Sequence, residues 1–389
     1  MKALDGITVI DLTDSVAGPY CTMMMGDLGA KVIKVEQAGE GDIIRRSTPI
    51  IHGVAPVFTA YNRNKKSIAL DLNRAEGVAL VKKMLAKADI LVDSYPPGTM
   101  EKLGLDFVSL KDAFPKLICA SLTGFGSSGP YADRPVYEGT IQAETGMTQS
   151  LINDSHGTPY MVGGNLAQTS SSYFFLAAIL GALHQRRRSG CGQKVETSIY
   201  KSMLAMFSLP INDYLFNGVE CPVDGNAPEG FIRSKDGWLR ISFGDQPMWE
   251  RTIKLIDDPV LHDPRYATAE VRNQNRELLL ERVEQWTQQR TSAQAIEEFT
   301  QAGLPGGIVR TIADLRRDPH MLARNHIVEI EVEGNGKLPF FASPFRMRES
   351  PIEYHPAPGL GENGEEILSD LLEMRPEEIT ELKQSGVLA

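Results

Sequence analysis

The first half of this 389-residue chain alternates short aliphatic runs with longer helical patterns, and this alternation restricts the fold more than any other feature. Repeated strand–helix–strand units build open parallel sheets with right-handed crossovers, and such sheets bind ligands at the carboxyl ends of their strands. The sequence therefore predicts an α/β fold. The predicted strands cover residues 8–12, 31–36, 90–92 and 117–122, and the helices between them cover about 17–26 and 77–88.

The pattern changes after about residue 211, which predicts a second domain. Residues 211–232 are rich in Gly, Pro and Asn and are typical of a linker between this domain and residues 1–210. A smaller domain is predicted over 233–325, with a hairpin that turns at Asp236-Gly237 and then strongly charged helices. Residues 326–389 form a return linker and end in two surface helices.

Charge and composition exclude several classes of protein. The net charge of -10 argues against nucleic acid or an anionic membrane as the main partner. The longest apolar run, residues 173–183, is too short to span a bilayer and predicts a buried core or interface helix. The N-terminus has no signal-peptide pattern, the four cysteines form no C-x-x-C pair, and the seven histidines match no metal motif. We expect a cytoplasmic protein without a metal.

A glycine-rich segment follows the last predicted strand of the first domain. Gly124-Phe125-Gly126-Ser127-Ser128-Gly129 satisfies the G-x-G-x-x-G pattern of nicotinamide dinucleotide folds. In those folds a helix begins here and holds the pyrophosphate on its N-terminus. Pro130 and Pro135 follow instead, so we expect no nicotinamide cofactor. A glycine-rich turn without a ligand is the alternative.

A cationic cluster precedes another short strand. Asn62-Arg63-Asn64-Lys65-Lys66 leads into Ser67-Ile68-Ala69-Leu70-Asp71. Such a run is usually a solvated face, but cations and backbone N–H groups also suit phosphate. A protein with a negative net charge needs a local cluster of positive charge of this kind to bind an anionic ligand.

These segments resemble CoA-transferase family III, which includes carnitine CoA-transferase and formyl-CoA transferase. The family patterns T-G-F-G-x-x-G-P, N-x-x-K-x-S-I-x-L-D-L and N-[FY]-x-P-G correspond to residues 123–130, 62–72 and 94–98, with Ser94 in place of the Asn. The family's G-x-G-Q-x-V corresponds to residues 190–195. The resemblance extends over the whole chain. It implies a large Rossmann-like domain built from both chain ends, a smaller central α+β domain, and a dimer of two interlocked chains.

The resemblance also implies the substrates: coenzyme A, carried as an acyl-CoA, and a carboxylic acid. Lys65 and Lys66 would contact the adenine and phosphates of CoA, and Ser94 and Tyr95 would line its pantetheine. Selectivity for the acid is expected in loops such as residues 226–231. The CoA-binding residues that the resemblance implies are Val16, Ala17, Lys65, Lys66, Leu70, Asp71, Leu72, Ser94, Tyr95, Pro96, Lys102, Val136 and Tyr137.

The nucleophile of the family is an Asp, and an ungapped match places Gln168 at its position. In the family this Asp attacks the acyl-CoA thioester to form a mixed anhydride, which the released thiolate converts to an aspartyl-CoA thioester. A carboxamide lacks the charge and nucleophilicity for these steps. The related α-methylacyl-CoA racemases use a His and an Asp, and Tyr137 and Gln168 occupy those positions, so racemisation is not expected.

Three explanations of Gln168 stay open. A paralogous chain could supply the Asp in a heteromer, such as a benzylsuccinate-type CoA-transferase. Glu138, at a family acid position, could substitute as the nucleophile. The chain could instead be a catalytically silent acyl-CoA-binding or regulatory protein. We favour the first explanation: a subunit that serves transfer of CoA between carboxylic acids, dimerised with itself or with an Asp-bearing paralogue.

Overall fold

The computed structural model describes residues 1–51, 53–150, 157–218, 229–243 and 245–389. The chain divides into two compact units, one formed by Met1–Ile211 with Asn325–Ala389 and the other by Asn212–Arg324. The larger unit is therefore built from both ends of the chain. Residues 219–228 of the predicted linker lie outside the described residues, and so do 226–228 of the segment expected to select the acid.

A six-stranded sheet forms the centre of the larger unit. Its strands are β1 (Thr8–Leu12), β2 (Lys31–Gln37), β3 (Lys65–Leu70), β4 (Ile90–Asp93), β5 (Ile118–Thr123) and β6 (Lys194–Ser198). They are arranged in the order β3-β2-β1-β4-β5-β6, and every neighbouring pair is parallel. The predicted α/β fold with an open parallel sheet is confirmed.

The strand order creates a switch point between β1 and β4. The chain runs from β1 to β2 and β3 on one side, and then crosses back to build β4, β5 and β6 on the other side. At such a point the crossovers diverge and leave a crevice beyond the carboxyl ends of the two strands. A ligand site is therefore expected where the chain leaves β1 and β4.

The helices complete the two units. In chain order up to the middle they are α1 (Ala17–Asp27), α2 (Pro56–Asn62), α3 (Ala75–Leu85), α4 (Thr99–Leu103), α5 (Phe107–Leu110), α6 (Glu138–Glu144), α7 (Met147–Ser150), α8 (Leu166–Ser189), α9 (Ile199–Met206) and α10 (Ser208–Asn217). The remainder are α11 (Gln246–Ile256), α12 (Ala269–Gln274), α13 (Arg276–Thr287), α14 (Ser292–Gln301), α15 (Ile312–Leu315), α16 (Pro319–Ala323), α17 (Gly364–Leu372) and α18 (Pro376–Gln384).

Both faces of the central sheet are covered by helices. On one face Val9, Ile90 and Ile118 pack in a core that also contains residues of α1, α8 and α9. On the other face Ile10 and Leu91 belong to a second core that contains residues of α3, α17 and α18. Burial on both faces explains why the strands are continuous aliphatic runs, as is typical of parallel sheets.

Residues 387–389 cover the carboxyl end of the outer edge of β3. The amide of Asp71 donates to the carbonyl of Val387 at 3.0 Å, and the amide of Ala389 donates to the carbonyl of Ala69 at 3.1 Å. Leu388 is buried against the same edge. Backbone groups that an edge strand would leave unpaired are thus satisfied by the end of this sequence.

The smaller unit has its own core and a three-stranded antiparallel sheet. The strands β7 (Glu229–Arg233), β8 (Trp238–Ser242) and β9 (Gly306–Ile308) are neighbours in that order. The predicted hairpin at Asp236-Gly237 joins β7 to β8, and Leu239 packs with Trp249 and Phe299 in the core. A separate hairpin of β10 (Ile327–Val332) and β11 (Gly336–Phe341) belongs to the larger unit.

Helix α8 is longer than the apolar run that predicted it. It has 24 residues, and among the described residues it is the one helix long and apolar enough to cross a membrane. Half of the apolar segment of α8 is buried inside the protein, and α8 packs against α1 and α9 as a core helix does. The helix expected from the apolar run 173–183 thus extends at both ends into polar residues, to Leu166 and Ser189.

The close approach of Gly192 to the backbone gives the first prediction. A Cβ atom there would lie 2.0 Å from the carbonyl oxygen of Leu117, whereas one at Gly181, within α8, would meet nothing within 4 Å. Gly192→Ala should lower the free energy of unfolding by about 1–3 kcal/mol because the backbone must move. Gly181→Ala, the control, should raise it by about 0.5–1 kcal/mol through helix propensity. Urea denaturation measures both, and equal effects would contradict the packing argument.

Candidate functional site

A cavity of about 470 Å³ lies at the carboxyl edge of the sheet, in the larger unit. Residues that follow four strands line it: Ala17 after β1, Ser94 after β4, Gly124 after β5 and Ile199 after β6. The cavity thus includes the switch point between β1 and β4, where an open α/β sheet binds ligands. Gln168, in the first turn of α8, also lines it.

The start of α8 is held by Glu138 from another helix. One carboxylate oxygen accepts from the amide of Ala167 at 2.7 Å, and the other accepts from the amide of Gln168 at 3.1 Å. The side chain of Gln142 donates to Glu138 as well, at 2.7 Å. Free N–H groups at a helix start favour a carboxylate, so Glu138 caps α8 across the fold.

The loop that leaves β1 is fixed by buried charges. Asp11 accepts hydrogen bonds from the amide and hydroxyl of Thr13 at 2.9 and 2.5 Å, and from Lys65 at 3.0 Å. Lys34 donates to the carbonyl of Thr13 at 2.7 Å and pairs with Asp42 at 2.8 Å. Burial alone would raise the pKa of Asp11, but Lys65, Lys34 and two hydroxyls lower it well below its ordinary value.

The same charges hold a backbone conformation that few side chains adopt. Ser15 has a φ of 65°, in the left-handed region, and its amide donates to Asp42 at 3.1 Å. The hydroxyl of Ser172 in α8 donates to the carbonyl of Ala17 at 2.7 Å and to that of Gln168 at 3.1 Å. The loop after β1 and the first turn of α8 are therefore fastened to each other beside the cavity.

The structure assigns Lys65 a place different from the expected contact with CoA phosphates. Its side chain is buried, and its ammonium donates to Asp11, to the carbonyl of Pro19 at 2.9 Å and to Asn62 at 2.9 Å. With these three acceptors the ammonium is turned into the protein. Burial lowers the pKa of Lys65, and the charge of Asp11 opposes that shift.

The other residues implied on and after β3 lie away from the cavity. Lys66 is partly exposed and pairs with Glu366 of α17, and Leu70 and Leu72 are buried in the core. Asp71 accepts from the amide of Asn73 at 3.0 Å and so ends the strand. Lys102 is exposed on α4. A role for these residues at CoA stays a prediction.

Five of the residues that the resemblance implies for CoA binding converge on the cavity. Ala17, Ser94, Tyr95, Pro96 and Val136 all line it, together with Gln168. Val16 is buried next to Ala17, and Tyr137, beside Val136, is 74% exposed. The fold thus brings the loops after β1, β4 and β5 to one place, as the resemblance implies.

The glycine loop has no helix at the point where a dinucleotide would need one. The amide of Gly126 donates to the hydroxyl of Thr123 at 3.1 Å, and Ser127 donates to Glu196 through its amide and hydroxyl. The next helix, α6, begins only at Glu138. Among the residues that the structure describes, no group of three His, Cys, Asp or Glu side chains could hold a metal ion.

Sequence reasoning missed three charged residues of the cavity, Asp14, Asp133 and Arg134. Arg134 stacks on the ring of Tyr131 at 3.6 Å and pairs with Glu144 at 3.4 Å. Asp14 stands two residues beyond β1, at the switch point. Its place directly after a buried strand was the sequence signal that could have found it.

A smaller cavity of about 130 Å³ lies on the other side of the Tyr95–Pro97 segment, lined among others by Asp93 and Ser121. Asp93 accepts from the hydroxyl of Ser121 at 2.6 Å. Burial raises the pKa of Asp93 to about 6, although hydrogen bonds from Ser121 and the amide of Tyr95 oppose the shift. Asp93 is the last residue of β4 and holds the turn into Ser94.

Comparison with known proteins agrees with this geometry. The sequence profile of CoA-transferase family III matches residues 4–364. A formyl-CoA:oxalate CoA-transferase from Bradyrhizobium diazoefficiens is 30% identical over 417 residues, covering 100% of this chain and 98% of the relative. A succinyl-CoA–D-citramalate CoA-transferase from Chloroflexus aurantiacus is 31% identical over 397 residues, again covering 100% of this chain and 98% of the relative.

Solved structures share the whole architecture. A CAIB/BAIF family protein from Brucella suis superposes with a TM-score of 0.84 and 32% identity over 95% of this chain and 99% of that one. The protein Rv3272 from Mycobacterium tuberculosis superposes with a TM-score of 0.83 and is 29% identical, over 93% of this chain and 98% of that one. An α/β fold with a site at the switch point of its parallel sheet defines a large class of ligand-binding proteins and enzymes. Within that class, this chain belongs to CoA-transferase family III.

The two neighbouring lysines of β3 should differ sharply in their effect on stability. Lys65→Met leaves Asp11 buried without its closest cation, and should lower the free energy of unfolding by about 3–5 kcal/mol. Lys66→Met removes a partly exposed ion pair and should cost less than about 1 kcal/mol. Chemical denaturation of both variants measures the difference, and similar losses would contradict the structural role of Lys65. Salt-dependent loss of CoA affinity in Lys66→Met would support the predicted phosphate contact.

Asp93 should make stability depend on pH. The pKa of Asp93 in the folded protein, about 6, exceeds the ordinary value of 3.8. The folded state is therefore destabilised by ionisation of Asp93 as the pH rises above about 4, and the full destabilisation is reached above about pH 6. Asp93→Asn removes this cost while keeping an acceptor for Ser121. The variant should therefore gain about 1–3 kcal/mol relative to the native chain when the pH rises from 4 to 7.5. Urea denaturation at both pH values tests this, with the exposed Asp112→Asn as control. A gain that is the same at both pH values would disprove it.

Proposed function

We propose that the cavity binds the thioester end of an acyl-CoA, and that this chain serves transfer of CoA between carboxylic acids together with an Asp-bearing partner chain. The observation that carries the proposal is the position of Gln168. It lines the cavity at the first turn of α8, among the loops that the family uses for CoA, and it presents a carboxamide. A carboxamide cannot form the acyl anhydride or the CoA thioester, so a carboxylate from elsewhere must do so.

The contacts of Glu138 argue against the nearest substitute. Both of its oxygens accept from amides of the α8 helix, and Gln142 donates to one of them. A nucleophilic Glu138 would have to release the helix start while attacking the thioester. The oxygens of Glu138 accept the hydrogen bonds that hold the first turn of α8, so Glu138 positions Gln168.

Exposed apolar side chains support a partner chain. In α10, Leu215 and Phe216 are 72% and 87% exposed, and Leu209 is 73% exposed. Large aliphatic and aromatic groups clustered on one short helix are typical of a surface covered by another protein. A paralogue with the same fold could cover it in an interlocked dimer, as the family resemblance implies. We place the assembly in the cytoplasm.

A catalytically silent acyl-CoA-binding or regulatory protein is the second candidate. The same observation favours it: the chain keeps the cavity and its loops but presents Gln168 where the chemistry needs a carboxylate. If the chain is silent, an Asp-bearing partner should leave its acyl-CoA binding unchanged. The mixture of both chains should then transfer CoA no faster than the partner alone.

Trapping with hydroxylamine separates these alternatives. Acyl anhydrides and thioesters of a carboxylate become hydroxamates at the residue that carried them, and peptide mass spectrometry locates the label. After incubation with butyryl-CoA, we expect no label on the isolated chain and a label on the Asp of a co-expressed paralogue. Label on Glu138 of the isolated chain would overturn the partner requirement. Label on the paralogue's Asp that is no greater than in the paralogue incubated alone would favour the silent binder.

Restoring the carboxylate gives an independent prediction. Gln168→Asp should confer CoA transfer on the isolated chain, whose remaining cavity already surrounds that position. The matched control, Gln168→Asn, has the same length and geometry without the charge, and should stay inactive. An exchange assay with butyryl-CoA and a panel of carboxylic acids measures both variants. Equal activity, or none in either, would count against residue 168 as the position of the nucleophile.

A further inference from the structure

The cavity contains a carboxylate that the family chemistry does not use. Asp14 follows β1 at the switch point, and its amide donates to the hydroxyl of Ser94, which follows β4, at 3.1 Å. It therefore bridges the mouth of the crevice between the two strands. Asp14 and Gln168 both line the cavity, and the hydroxyl of Ser172 links the loop of Asp14 to the turn of Gln168.

The carboxylate of Asp14 is available to a ligand. Its one side-chain hydrogen bond among the described residues is a long one, 3.4 Å from the hydroxyl of Ser94. The ammonium of Lys34, whose charge acts on Asp14, pairs with Asp42 and donates to the carbonyl of Thr13. Burial raises the pKa of Asp14, the charge of Asp42 adds to the shift, and the charge of Lys34 opposes it only in part.

The other charges of the cavity do not cancel this one. Asp133, also in the lining, is a second carboxylate. Arg134 is the one Lys or Arg among the lining residues, and it is already paired with Glu144 and stacked on Tyr131. A ligand group that enters beside Asp14 therefore meets a hydrogen-bond acceptor whose negative charge is paired with no Lys or Arg of the lining.

We propose that Asp14 selects the acyl group, favouring acyl chains that carry a hydroxyl or another hydrogen-bond donor and disfavouring those with a second carboxylate. Asp14 is exposed to the cavity, and a carboxylate there is a strong acceptor for a hydroxyl, because hydrogen bonds to charged groups exceed those to neutral ones. At close range a second carboxylate on the ligand is repelled by the same charge. This inference rests on the proposed binding of acyl-CoA in the cavity.

Three thioesters of four-carbon acids provide matched probes: butyryl-CoA, 3-hydroxybutyryl-CoA and succinyl-CoA. Isothermal titration of the full chain should give the tightest binding for 3-hydroxybutyryl-CoA and the weakest for succinyl-CoA, with about a tenfold spread in Kd. Asp14→Asn has the same size without the charge, and should reduce the spread to about twofold. The affinity for free CoA should be the same in the native chain and in this variant, which also shows that the variant is folded.

A second variant tests whether Asp14 or the general charge of the cavity is responsible. Asp133→Asn removes the other carboxylate of the lining and should keep most of the spread. The proposal is overturned by an unchanged spread in Asp14→Asn, by equal affinities of the native chain for the three thioesters, or by an equal reduction in Asp133→Asn. Failure of free CoA and all three thioesters to bind would overturn the proposed function itself.

Discussion

The buried ion pairs of Asp11 with Lys65 and of Lys34 with Asp42 are the constraint on which the site depends. All four side chains are almost completely removed from solvent, and each charge has an opposite partner within 3.0 Å. Burying charges costs several kcal/mol per ion unless partners and hydrogen bonds compensate. Here the compensating groups are backbone atoms of the loop after β1, so the electrostatic cost of burial is offset only when that loop has one particular path.

That path determines where the reacting end of a ligand can lie. The loop from Thr13 to Ala17 is held on one side by the ion pairs and on the other by Ser172 of α8, whose hydroxyl also contacts Gln168. Glu138 fixes the same turn of α8 from outside. Residue 168 is therefore held through its amide by Glu138 and through its carbonyl by Ser172, and neither contact needs its own side chain. A carboxylate or a carboxamide can occupy the position without disturbing the scaffold.

Much of the architecture could be predicted because it follows from local patterns. The aliphatic runs at residues 8–12 and 31–36 could only be strands of a buried sheet, and Pro130 excluded a helix after the glycine loop. The role of Lys65 could not be predicted in this way. A cation in a basic run looks the same in sequence whether it meets phosphate or a buried Asp 54 residues away, and only the pairing of β3 beside β2 decides this. Asp14 was missed because it belongs to no motif, although its place after a buried strand at the switch point was a signal that the sequence carried.

The covering of β3 by residues 387–389 has a consequence for how the protein is made. Strand β3 is among the early elements to leave the ribosome, but Ala69 on its outer edge finds its partner, Ala389, only after more than three hundred further residues have been synthesised. During that interval the edge can pair with another nascent chain, a hazard that grows where many ribosomes work on one message. Pairing of this edge in the folded protein thus also protects the sheet from association with other chains.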